Sequence, residues 1–99
     1  MIVEVQCLPS PAGTPDNPYR HIEAAIGLIE GSGLKYEVGA LGTTIEGEPD
    51  EIWPLVRRVH EACLASGADG LVSVVKFEQS ASVQPPTIAS LTSKFRNAP

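Results

Sequence analysis

The stretch Tyr36-Glu37-Val38-Gly39-Ala40-Leu41-Gly42-Thr43-Thr44-Ile45-Glu46-Gly47-Glu48-Pro49-Asp50 decides how this chain folds. Two short strand-like runs, Leu34 to Val38 and Thr43 to Glu46, flank a turn holding Gly39 and Gly42, residues that accept positive φ without a Cβ clash. The pattern predicts a hairpin. Gly47-Glu48-Pro49-Asp50-Glu51 then stops the second strand and starts a helix, because proline fits the first helical turn and carboxylates there face the positive end of the helix dipole.

Upstream of the hairpin, Ile2 to Leu8 places Val3, Val5 and Cys7 on one face and Glu4 and Gln6 on the other, the period of a half-buried strand, β1. Pro9 to Asn17 is rich in breakers and predicts a long loop. Asn17 is a natural N-cap with Pro18 at the first helical position, and Ile22, Ala25, Ile26 and Ile29 mark one face of a helix, α1, from about Pro18 to Gly31. Gly31-Ser32-Gly33 ends it, and the hairpin strands are β2 and β3.

Downstream, Ile52, Leu55, Val56, Val59 and Cys63 recur at steps of three and four, which predicts α2, closing at Ser66-Gly67. A helix beginning near Asp50 leaves Pro54 in its first turn, where a missing N–H is tolerated. Leu71 to Glu78 is then β4, with Leu71, Ser73, Val75 and Phe77 on one face and Val72, Val74 and Lys76 on the other. After Pro85-Pro86, Ile88, Leu91 and Phe95 predict a short helix over 87–95 with frayed last residues.

The order βαββαβ with right-handed crossovers predicts one α+β domain over residues 1–99. It is a ferredoxin-like sandwich, an antiparallel sheet of order 4-1-3-2 with two helices on one face. The loop after β1, the start of α1, the β2–β3 turn and the start of β4 then share one end; Gly31 to Leu34 and Glu46 to Trp53 share the other. Two helices cover one face of the sheet only, and both faces of β4 are largely apolar, so self-association through the second face is expected.

Composition narrows the function. The 99 residues carry a formal charge of −5, and seven scattered basic residues supply no stripe for phosphate, so no nucleic-acid partner is expected. At 42% apolar residues, with uncharged apolar runs such as Gly70 to Val75 far too short to cross a bilayer, no membrane partner is expected either. Met1-Ile2-Val3-Glu4-Val5 reads as a strand with an acid where a signal peptide needs a base, which points to the cytoplasm. There a disulfide between Cys7 and Cys63 is disfavoured, and both read as buried thiols.

Candidate site residues collect at the first end. Ser10, Asn17, Tyr19, Thr43 and Thr44 bring hydroxyls, an amide and a ring near the free N–H groups of α1, with Tyr36 or Trp53 as a stacking face, a composition suited to a small polar heteroaromatic ligand. Each also has a plain structural role, threonine as a strand residue and Asn17 as a cap. Glu46 accepts from an aminopyrimidine or pairs with a cation on one reading, and hydrogen-bonds locally on the other.

His21 and His60 have no partner at a metal-ligand spacing, no nucleotide or hydrolase fingerprint occurs, and the chain reads as neither an enzyme nor a cofactor protein. The loop after β1 lacks the arginine a phosphatase of this fold would use, β1 and β3 lack the aromatic rings an RNA binder would use, and no Cys-x-x-Cys serves a metal.

Several passages together resemble the YkoF-like thiamine-binding family of small ferredoxin-like proteins. They are the proline and glycine loop after β1, Ser32-Gly33-Leu34-Lys35-Tyr36, Gly42-Thr43-Thr44-Ile45-Glu46-Gly47, and the helix ending on Ala65-Ser66-Gly67-Ala68. The resemblance spans roughly residues 2 to 78. It implies a homotetramer built by sheet packing that binds thiamine or its hydroxymethylpyrimidine moiety without turnover. The chain departs from the family's usual pattern at Gly70-Leu71 and at Ser80 to Pro86. A module that self-associates without any small ligand is the alternative.

Overall fold

A computed structural model of the chain describes residues 1–96. The elements are β1 (Ile2–Ser10), α1 (Arg20–Glu30), β2 (Lys35–Val38), β3 (Thr43–Glu46), α2 (Pro49–Ala65), β4 (Gly70–Glu78) and α3 (Ile88–Arg96). The sheet order β2-β3-β1-β4 is the predicted 4-1-3-2 read from the other edge, and all three pairings are antiparallel. The core lies between the sheet and the helix pair α1/α2, where Val3, Ile45, Ile52, Val59 and Cys63 are fully buried. The alternation read from the sequence accounts for this: Val3 and Val5 face the helices beside Ile45 and Thr43, and Glu4 and Thr44 face away.

Several boundaries differ from expectation. β1 continues through Pro9 to Ser10, because β4 pairs with it along its full length, Ile2↔Glu78 to Ser10↔Gly70. Pro9 is tolerated because β3 stops opposite Val5, so one flank of β1 carries no ladder there. Helix α1 begins at Arg20, with Tyr19 as N-cap; Asn17 and Pro18 form a preceding turn in which the Asn17 carbonyl accepts the Arg20 N–H at 3.1 Å. Helix α2 begins at Pro49, so Pro54 sits in its second turn rather than its first, where it has no N–H to offer the Asp50 carbonyl. The Glu51 carboxylate secures that start by accepting the Glu48 N–H at 3.2 Å.

Gly39 and Gly42 have no positive φ. Space requires them instead: a Cβ on Gly39 would stand 2.9 Å from the Gly42 carbonyl oxygen, and one on Gly42 would stand 3.2 Å from that of Val5. The left-handed positions are Gly33, which turns the chain from α1 into β2, and Gly67 after α2.

The second face of the sheet is not wholly bare. Helix α3 is tied across its β2–β3 half, with Ile88 buried at one end and Arg96 paired to Glu37 at the other. The β1–β4 half keeps Leu8, Val72 and Val74 exposed side by side. The fraying expected of the last residues falls on 97–99, outside the described residues.

Candidate functional site

Unequal strand lengths create the principal hollow. β1 has nine residues and β3 four, so Gln6, Cys7 and Leu8 are paired to β4 on one side and to nothing on the other. The β2–β3 turn, closed by a 2.8 Å bond from the Gly39 N–H to the Gly42 carbonyl, and the first two turns of α1 wall in this gap. They enclose a cavity of about 320 Å³ at the glycine–threonine corner. That is near the small end of the roughly 300–1,000 Å³ typical of ligand pockets, room for a heterocycle of one or two rings.

Its walls are mostly apolar: Val5, Ala25, Ile29 and Val59 form the floor, and Ile22, Ile26 and Leu41 the sides. Tyr19, Gln6, Cys7, Glu23 and Thr43 are the polar residues along it, and Glu23 is the charged one. Tyr19, 65% exposed, stands at the mouth; Thr43 is buried. The loop leading to Tyr19 is fastened from below by His21, which is buried and whose Nδ1 lies 2.8 Å from the Pro11 carbonyl oxygen, the imidazole N–H donating. His21 also donates its backbone N–H to the Ala12 carbonyl.

Of the residues singled out from sequence, the cavity brings together Tyr19 and Thr43. Asn17 acts through Tyr19, its Oδ1 accepting the Tyr19 N–H at 3.4 Å. Ser10 ends β1 at the surface, where its carbonyl accepts the Asp69 N–H. Thr44 lies on the opposite face of the sheet between Glu4 and Glu37. Tyr36 is on the outer edge strand opposite Ile45, and Trp53 stacks on Phe77 with ring centroids 4.1 Å apart; neither lines the cavity. Glu46 sits at the far end of β3, where Oε1 accepts the Ile88 N–H at 2.6 Å.

Sequence reasoning passed over Glu23, Ile22 and Ile26 as site residues. The isoleucines belong to the apolar stripe of α1, and they only half enter the core. A carboxylate one step off that stripe, in the first turn of a helix abutting a glycine turn, was the available signal. Among the described residues no His, Cys, Asp and Glu side chains group as a metal site, and no helix is long and apolar enough to cross a membrane.

Residues 3–95 match the family model described as Thiamine-binding protein. A UPF0045 protein of Clostridium perfringens is 36% identical over 76 residues, covering 77% of this chain and 78% of that protein. Among solved structures, a domain of unknown function (DUF77) from Bacillus cereus superposes with a TM-score of 0.86 at 29% identity, covering 97% of this chain and 89% of that one. A Thermotoga maritima protein described as a candidate for thiamine biosynthesis or salvage superposes with a TM-score of 0.76 at 31% identity, covering 97% and 100%.

Proposed function

The chain belongs to the thiamine-binding protein family, and we propose that it is a non-catalytic binder of thiamine or its hydroxymethylpyrimidine moiety, held in the cavity between β1, α1 and the β2–β3 turn. The observation that carries this reading is the lining: apolar walls, one aromatic ring at the mouth, one buried hydroxyl and one carboxylate. An aromatic cation suits each of them. The Tyr19 face attracts positive charge, the Glu23 carboxylate offsets it, and the Thr43 hydroxyl serves a ring nitrogen as donor or acceptor. The overall charge of −5 draws a cation toward the protein. The role is cytoplasmic, and the Thermotoga maritima relative gives it a context in thiamine salvage.

A thermal-shift titration with thiamine and with hydroxymethylpyrimidine tests this, since a ligand at about 100 times its Kd adds about 2.7 kcal/mol to the folded state. The melting temperature should climb with either ligand. Thr43→Val should abolish both responses, and Glu23→Gln should weaken thiamine, which carries the cationic ring, more than the neutral pyrimidine. No shift with either ligand in the millimolar range would rule the reading out.

A second reading, a self-associating module, is favoured by the exposed row Leu8, Val72 and Val74 on the half of the sheet that α3 leaves open. A homotetramer formed through that surface borders the cavity at Leu8, which lines it, so assembly and ligand binding meet at the free edge of β1. Light scattering should then give a mass of several chains, falling toward one chain in Val74→Glu; a monomeric wild type would exclude it.

A further inference from the structure

A second group of reactive side chains lies against the back of the cavity. Cys7 and Ser73 are direct cross-strand partners on the helix-facing side of β1 and β4. The Ser73 hydroxyl lies 3.8 Å from Cys7 Sγ, and on its other side His60 Nδ1, from α2, lies 2.6 Å from Ser73 Oγ. Thiol, hydroxyl and imidazole therefore form a continuous chain. Cys7 is half-buried because one side of it lines the cavity.

We propose that Cys7 is a modification site for small soft electrophiles admitted by the cavity, with the Ser73 hydroxyl carrying the thiol proton to His60. At rest the Ser73 hydroxyl donates to Cys7 Sγ; for transfer it rotates, so that the thiol donates to Ser73 Oγ while the hydroxyl donates to His60 Nδ1. After transfer the same heavy atoms serve the reverse order: Nδ1–H donates to Ser73 Oγ and the hydroxyl donates to the thiolate. With an alkyl halide, the C–S bond forms as the carbon–halogen bond breaks, halide leaves with the electron pair, and the proton remains on the imidazolium.

The surroundings single out Cys7. Cys63, one helical turn along from His60, is fully buried and its thiol is pushed up to about 11, first by burial and then by the charge and hydrogen bond of Cys7, so it stays protonated and out of reach. Glu23 and Tyr19 face the cavity from the α1 side, the β2–β3 turn contributes no titratable group, and Arg57 and Glu61 beside His60 are exposed and satisfy each other at 2.6 Å. The thiolate is the reactive form of cysteine, so a relay that takes its proton sets the rate.

The test is alkylation of the full chain by iodoacetamide between pH 6 and 9, with each cysteine followed by peptide mass spectrometry. Cys7 should be labelled first, and Ser73→Ala and His60→Gln should each slow it about three- to tenfold at pH 7. Ser73→Thr, which keeps the hydroxyl, should restore the wild-type rate. Circular dichroism verifies the fold of each variant, and His60→Gln, on the helix surface, carries the test if Ser73→Ala does not fold. Equal rates in wild type and variants, or prior labelling of Cys63, would overturn the assignment.

Discussion

The Glu46 carboxylate accepts the backbone N–H of Ile88 at 2.6 Å, a bond that spans 42 positions of the chain. It joins the end of β3 to the first turn of α3, where free N–H groups and the helix dipole favour a negative charge. Charge-assisted bonds of this kind contribute about 1.5–3 kcal/mol when part-buried. Glu46→Ala should therefore release α3 selectively. Hydrogen exchange should speed up at Leu91 and Thr92 while the amides of β1 and β4 stay protected, and denaturant should unfold the variant about 1–2 kcal/mol earlier.

The other end of α3 is held more weakly. Arg96 meets Glu37 at 2.7 Å, with side chains 58% and 32% exposed, and such pairs contribute at most about 1 kcal/mol. Arg96→Ala should lower stability by less than that in dilute buffer and by nothing measurable near 1 M salt, where charges are screened within about 3 Å. A salt titration of the denaturation midpoint for wild type and variant checks it.

The β2–β3 turn tests the claim that space rather than φ selects its glycines. Gly39→Ala would set a methyl 2.9 Å from the Gly42 carbonyl oxygen and break the closure of the turn, whereas Gly42→Ala needs only a few tenths of an ångström of adjustment near the Val5 carbonyl. Gly39→Ala should cost about 1–3 kcal/mol, and Gly42→Ala clearly less. Equal costs, measured by urea unfolding, would show that the turn relaxes more freely than its geometry indicates.

These positions also show what the sequence could disclose. The apolar stripes of α1 and α2, the partial alternation of β1 and the bounded apolar run of β4, with the hairpin between Tyr36 and Glu46, disclosed element order and sheet topology. The hollow at the glycine–threonine corner followed from that topology, as did the place of Tyr19 and Thr43. What stayed hidden depended on lengths and distant partners. Pro9 looked like a breaker, yet a nine-residue β4 extends β1 through it. The partner of Glu46 could not be read from its neighbours, because its donor arrives on α3 from 42 residues away. Glu23 came to line the cavity because β3 begins only at Thr43, opposite Val5, and leaves the flank of β1 open.

Core and rim should respond differently to truncation. Ile45 is fully buried at the centre of the sheet, so Ile45→Ala should cost about 2–5 kcal/mol. Leu41, 80% exposed on the lip of the cavity, should tolerate alanine within about 0.5 kcal/mol while altering any ligand response. Chemical denaturation of the two variants separates packing from site in one comparison.

Alkaline pH should destabilise the protein through Cys63. The folded state keeps this thiol protonated until about 11, because burial opposes the thiolate and the neighbouring Cys7 adds to that, whereas an unfolded chain releases the proton near 9.0. Between those values the folded state binds more protons than the unfolded one, so stability falls as pH rises, by on the order of 2 kcal/mol across the window, and is unaffected below it. Cys63→Ala leaves a void and should be less stable at neutral pH, but its midpoint should fall less steeply from pH 9 to 11. Tyrosines and lysines titrate in the same range in both proteins, so the difference between the two pH slopes isolates the thiol. Parallel slopes would mean that Cys63 ionises as readily inside the fold as outside it.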